Sequence, residues 1–217
     1  MLYPIRFTPL LKARIWGGKT LLANAKQGKA KKIDASLPYG ESWELSAVKG
    51  DESVVANGFL KRNNIEEIIE VYMGILIGDK VYDKYGLTFP LLIKSLDCHD
   101  VLSVQVHPDD ELAAERHNSY GKTEMWYVVD CDEGAERIYG FNREVSKEEF
   151  ERRIKDNTLP EICNYVPVHK GDVFFISAGT LHAIGAGILI AEVQQNSNTT
   201  YRVSDYGRLG TDGKPRP

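Results

Sequence analysis

Apolar and polar residues alternate in short runs along most of this chain, and the runs are punctuated by Gly, Pro, Asn and Asp. Alternation of period two places successive side chains on opposite faces of an extended segment. The pattern predicts strands over 42–45, 90–95, 102–107, 124–129, 137–140, 172–176, 182–184, 188–194 and 200–203. Helical spacing replaces it in two places. NIEEIIEVYM, near 64–73, opens on an Asn cap. SKEEFERRIKD, 146–156, opens on Ser146 with Glu149 three residues on, the sequence of a capping box, and its Phe150 and Ile154 share a face. A further short helix, DDELAAERH, follows Pro108. Many short strands with tight turns predict a mainly β fold, an antiparallel barrel or jelly roll with peripheral helical insertions. No internal repeat or linker divides residues 1–217, which read as one domain.

The polar positions of one strand carry the chemistry. In VLSVQVHPDD, alternation sends Leu102, Val104 and Val106 one way and Ser103, Gln105 and His107 the other. Pro108 holds His107 extended, so the imidazole projects from the strand end. GKTE brings Glu124 to the start of the apolar strand EMWYVV, on the face of Trp126, where a carboxylate is costly unless it is paired or bound to a metal. In GDVFFISAGTLH, Gly171 and Gly179 permit a tight turn that aims His182 inward. Two imidazoles, a carboxylate and an amide oxygen, with no thiolate, suit zinc; manganese, iron or cobalt would also be accepted.

Two further segments put charge on apolar strands. Ile188, Ile190, Glu192 and Gln194 share a face, and burial there would raise the pKa of Glu192 into the range useful for proton transfer. Arg202, in TTYRV, suits an anionic or enediolate-like ligand if it faces inward; the alternative is a structural Glu192–Arg202 salt bridge at the barrel mouth. Lys122 precedes Glu124 by two residues and would project beside the metal. His99, His117 and His169 read as surface residues, and the cysteines as small core residues.

Composition narrows the partners. A net charge of −4 and a pI near 5.8 argue against nucleic-acid binding, and the basic cluster at Lys26 to Lys32 reads as a solvated loop. No secretory signal or bilayer-length apolar run is present, which predicts no membrane partner. Cys98, Cys131 and Cys163 are widely spaced with no CxxC pair, as expected of a cytoplasmic chain with reduced thiols.

The Gly171–His182 segment resembles the second metal motif of the cupin barrels, with Ser177 where Pro is usual and Ala186 where Asn is usual. The chain as a whole resembles the type I phosphomannose isomerases of the shorter bacterial kind. The resemblance is carried by IWGG, ESWELS, FPLLIKSLD, LSVQVHPDD, GKTEMWYVV, GDVFFISAGTLHAIGAG and EVQQNSNTTYRVSDYGR, from Ile15 to Arg208. It implies a catalytic cupin-type jelly-roll barrel with one zinc ion per chain, interconverting mannose 6-phosphate and fructose 6-phosphate through a cis-enediol. By that resemblance Gln105, His107, Glu124 and His182 are the zinc ligands, and Ser103, Lys122, Glu192 and Arg202 are active-site residues. Glu192 is the first candidate for the base and Lys122 the second, while Ser103 and Lys122 are candidates to hold phosphate or sugar hydroxyls. The resemblance also leads to the expectation that residues 1–217 are the catalytic cupin domain, without the family's smaller C-terminal β-barrel. A non-catalytic sugar-binding cupin acting as a sensor is the competing reading. A cupin dioxygenase is less favoured, because Gln105 and Glu124 stand where that chemistry prefers histidines.

Overall fold

The computed structural model describes residues 2–21, 34, 36–210 and 213–214; the basic cluster expected to be a loop at Lys26 to Lys32 lies outside them. Eleven strands and five α-helices are described. The strands are β1 (Leu10–Gly18), β2 (Tyr39–Leu45), β3 (Leu91–Cys98), β4 (Val104–Val106), β5 (Glu124–Cys131), β6 (Glu136–Phe141), β7 (Cys163–Pro167), β8 (Val173–Ile176), β9 (His182–Ile184), β10 (Ile188–Gln195) and β11 (Tyr201–Ser204). They form two antiparallel sheets, one in the order β1-β2-β3-β10-β5-β8 and the other β11-β4-β9-β6-β7. This is the expected mainly β, cupin-type jelly roll, hydrogen-bonded as two facing sheets.

The space between the sheets is filled from both sides. Leu96, Trp126, Val128, Ile188 and Ile190 from the larger sheet pack in one buried cluster with Ile184 from the smaller. Strand β10, central in the larger sheet, alternates between buried and half-buried residues, with Ile188, Ile190, Glu192 and Gln194 buried as the sequence predicted. Val104, Ile138 and Ala183 of the smaller sheet face a second cluster closed by Leu159 and Ile162.

Leu102 departs from the expected alternation. Regular pairing in its strand covers only Val104 to Val106, so Leu102 lies before the pleat begins. It joins the cluster of Trp16 and Trp126 between the sheets, whereas Val104 packs on the opposite side.

The helices lie outside the sheets. Helix α1 (Ile65–Tyr72) opens on Asn64 and buries Ile65, Ile68 and Ile69. Two short helices follow, α2 (Gly74–Ile77) and α3 (Asp79–Tyr85), neither with a side-chain cap. Helix α4 (Asp110–His117) is capped by Asp109. Helix α5 (Lys147–Lys155) is capped by Ser146, whose hydroxyl accepts from the Glu149 amide at 3.2 Å. The reciprocal half of that box is replaced, because the Glu149 carboxylate is held by Arg143 at 2.7 and 2.8 Å. A complete capping box forms at Asn64 and Glu67 instead.

Strands β1 and β7 lie outside the strands that alternation predicts. Each contains residues that weaken a strand signature: Lys12 and Arg14 in LLKARIWGG, and a closing Pro167 in CNYVP. The glycines of IWGG have a packing reason. A Cβ on Gly17 would lie 2.4 Å from the backbone nitrogen of Gly40, so β1 and β2 can approach this closely only without side chains there. Past β11 the chain is fastened back by Arg208, which donates to the Val101 carbonyl at 2.6 Å and to Asp205 at 2.6 Å.

Candidate active site

Between the sheets lies a cavity of about 440 Å³, and the polar face predicted for β4 opens into it. Ser103 and Gln105 line the cavity together with Lys122, Glu124, Glu192 and Arg202. His107 and His182 are buried beside it, at 2% and 1% exposure, too low for a solvated surface role.

The candidate metal-ligating atoms converge. One donor atom from each of His107, Glu124 and His182 lies within 4.8 Å of the others. His107 Nε2 is 3.1 Å from Glu124 Oε1, and His182 Nε2 is 3.6 Å from Glu124 Oε2. Gln105 sits opposite His182 in the β4–β9 register, with Nε2 3.4 Å from His182 Nε2. The amide therefore brings a polar atom to the same point, and a turn of its plane exchanges nitrogen for oxygen.

Local geometry explains why each group points inward. Gly179 adopts φ +81° in the turn before β9, and its amide donates to the His107 carbonyl at 2.9 Å, tying that turn to the end of β4. His182 Nδ1 donates to the Thr180 carbonyl at 2.8 Å, which fixes the ring and leaves Nε2 as a lone-pair donor. Trp126 Nε1 donates to Glu124 Oε2 at 3.1 Å, so the expected Glu124–Trp126 neighbourhood is a hydrogen bond.

The protonation states suit a cation. Burial, aided by Lys122, pushes His107 down to about 4, and burial also lowers His182; both imidazoles are neutral near pH 7. Burial opposes ionisation of Glu124, but the Lys122 ammonium at 3.3 Å and the two histidines hold its carboxyl well below the usual range. Both ring nitrogens of His107 are buried without an aligned hydrogen bond. Such atoms are costly in a folded protein unless something completes them. A divalent ion fits: the donor set is nitrogen and oxygen only, neutral and anionic, and its unmet capacity faces the cluster.

Beyond the cluster, Arg202 pairs with Gln105 in register and its Nε donates to Ser103 Oγ at 3.3 Å. Lys122 Nζ also reaches Thr200 Oγ1 at 3.4 Å. The ion-pair partner of Glu192 is Lys94, 3.0 Å away. Burial and the charge of Glu124 push Glu192 up to about 7. The structure thus brings together all eight residues singled out in the sequence.

It also adds Lys94, Glu41 and Arg14, which sequence reasoning missed. Lys94 shares a face of β3 with Leu92 and Leu96, both buried. A lysine between two leucines on an inward face was the available signal. Burial alone would lower Lys94, but Glu192 and Glu41 outweigh it and keep the ammonium charged. Glu41 is held down to about 2: burial raises it, while Lys94, Arg14 and the Trp43 indole more than compensate. His99, His117 and His169 are exposed, as expected.

An antiparallel jelly roll with a buried His–Glu–His cluster beside a charged cavity defines a β protein with a candidate metal site. The family model for the phosphomannose isomerase type I catalytic domain matches residues 5–134, and the chain belongs to that family. It is 43% identical over 220 residues to mannose-6-phosphate isomerase ManA of Bacillus subtilis, covering 98% of this chain and 64% of that protein. The crystal structure of a mannose 6-phosphate isomerase from Bacillus subtilis superposes with a TM-score of 0.85 at 38% identity, covering 100% of this chain and 66% of the other. A zinc-bound mannose 6-phosphate isomerase shares the fold at a TM-score of 0.67 and 18% identity, covering 92% of this chain and 70% of the other. The chain therefore spans slightly less than two thirds of the length of the bacterial relatives that match along all of it.

Proposed function

We propose that this chain is the catalytic cupin domain of a zinc-dependent aldose–ketose isomerase that interconverts mannose 6-phosphate and fructose 6-phosphate. The observation that carries the reading is the convergence of His107, Glu124 and His182 beside a cavity lined by Glu124, Glu192, Lys94, Lys122 and Arg202. Gln105, His107, Glu124 and His182 would hold one zinc ion. Bound there, zinc supplies Lewis-acid polarisation of the substrate oxygens.

The protein's own residues carry the remaining work. Glu192, whose burial raises its pKa above the ordinary carboxylate value, takes the proton from one of the two adjacent sugar carbons and returns it to the other through a cis-enediol. Lys94 holds the Glu192 carboxylate in place. Arg202, oriented by Ser103, faces the negative charge that develops on the substrate oxygens. Lys122 and Ser103 bind hydroxyl or phosphate oxygens. The cavity is lined by four cationic side chains against three carboxylates, and a divalent ion tips it further toward anionic sugar phosphates. We place the chain in the cytoplasm; three free cysteines suit a reducing compartment, and among the described residues no helix is long and apolar enough to cross a membrane.

The test is turnover of mannose 6-phosphate by protein loaded with stoichiometric zinc, beside a Glu192→Gln variant. The expected result is activity in the first and a kcat about 10²- to 10⁴-fold lower in the second, with zinc retained. Binding of the sugar phosphate without turnover by the zinc-loaded protein would favour a sensor.

A further inference from the structure

We propose that Arg14 and Glu41 are positioning residues for proton transfer: with Lys94 they form a line of alternating charges, Arg14–Glu41–Lys94–Glu192, that sets how firmly Lys94 is held against Glu192. The inference rests on the reading of Glu192 as the proton carrier. The four residues come from β1, β2, β3 and β10, one from each of four neighbouring strands. Arg14 Nε donates to Glu41 Oε1 at 2.7 Å. Glu41 Oε2 accepts from Trp43 Nε1 at 2.5 Å and faces Lys94 Nζ at 3.7 Å. Lys94 Nζ then lies 3.0 Å from Glu192 Oε1, which accepts no aligned hydrogen bond.

The ammonium is thus shared between two carboxylates in a buried setting, where charges act strongly on one another. Only Arg14 reaches solvent appreciably, with 35% of its side chain exposed against 3% for Glu192. Neutralising Glu41 leaves the whole attraction of Lys94 to Glu192, which favours the carboxylate and makes it a weaker base. Neutralising Arg14 has the opposite effect: Glu41, freed of one cation, draws Lys94 toward itself, and Glu192 becomes more basic. The other charged groups around this line are Glu124 on β5, and Lys122 and Arg202 on the cavity wall. None of them is altered by either substitution. Arg14 thereby influences the reacting carboxylate from the sheet edge, through Glu41 and Lys94.

The experiment follows the Glu192 carboxyl carbon by NMR in glutamate-labelled, zinc-loaded protein, with the signal assigned by its loss in Glu192→Gln. Arg14→Gln should move the titration midpoint up by roughly half a pH unit, and Glu41→Gln should move it down by a similar amount. Arg14→Lys, which keeps the charge, should restore the original midpoint, whereas a packing role would not. Adding Arg14→Gln to Glu41→Gln should cause no further shift. An unmoved or lowered midpoint in Arg14→Gln overturns the proposal, as does an Arg14 effect that persists without the Glu41 charge. Should Glu41→Gln fail to fold, the two Arg14 variants decide alone. The titration needs no turnover, so an inactive parent protein would count against the isomerase reading and leave this result standing. In active protein the acidic limb of kcat should follow the midpoint.

Discussion

Gln105 and His182 face each other across β4 and β9, and theirs is the one register pair that joins these two strands. The ladder is therefore weakest where two of the proposed ligands stand. A metal bridging Gln105, His107 and His182 would close this seam, while β3 and β10 are joined over eight register pairs without its help. Chelating the metal should accelerate amide exchange within 104–106 and 182–184 and leave β3 and β10 protected. Equal acceleration in all four strands would show that the metal supports the whole fold instead.

The ligands should differ in weight. His107 has two buried ring nitrogens without an aligned hydrogen bond, whereas Gln105 is half-buried and offers a neutral amide. His107→Ala should lower zinc affinity by at least about 100-fold, and Gln105→Ala should lower it less, on the order of tenfold. Competition with a chromophoric chelator measures both. Full zinc retention in His107→Ala would remove the proposed site.

Gly121 sits where Lys122 and Glu124 are brought past α4. A Cβ there would lie 2.6 Å from the backbone of Asp109 and Asp110, and the Gly121 amide donates to Asp110 Oδ1 at 2.9 Å. Gly121→Ala must push that segment outward, at a cost of about 1–3 kcal/mol in stability. It should also displace Lys122, lowering kcat by about 10- to 100-fold with zinc still bound. Thermal melts and assays on the same sample check both, and a variant matching the parent in both would deny the close contact.

How far the site was legible depended on whether one strand held the clue. Gln105 and His107 follow from period-two alternation, Glu192 from its place among isoleucines, and His182 from Gly179, which turns the chain before it; Gly171, expected in the same turn, lies before β8 instead. Lys94 was equally visible between Leu92 and Leu96, but its meaning depends on Glu41 and Glu192, which meet it only once β2, β3 and β10 lie side by side. The error at Leu102 has a similar cause. Alternation assumes a pleat that continues, and the ladder begins only at Val104. Helices α2 and α3 escaped notice because GILIGDKVYDKYG is broken by glycines and no side-chain cap announces either start.

The buried ionisable groups also dictate how stability should follow pH in metal-free protein. His107 falls from an ordinary value near 6.5 to about 4 on folding. The unfolded chain therefore takes up its proton first, and the stability it contributes, about 3 kcal/mol, is full above pH 6.5 and lost as pH falls to 4. His182 is lowered too and adds to that loss. Glu192 runs the other way. Its value rises from 4.5 to about 7, so the folded state takes up the proton first. Its contribution is full below pH 4.5 and lost as pH rises to 7. Between 4.5 and 6.5 the Glu192 slope offsets part of the loss from the two histidines. Below 4.5 Glu41, held down to about 2, and Glu124, also lowered, lose their contributions as they protonate. Urea midpoints should therefore change gently from pH 6.5 to 4.5 and drop steeply below. Glu192→Gln removes the opposing slope, so its midpoint should already decline from pH 6.5 downward, while at pH 7.5 it should equal or exceed the parent's. Parallel curves for the two proteins would mean that Glu192 titrates as an ordinary carboxylate and is not poised for proton transfer.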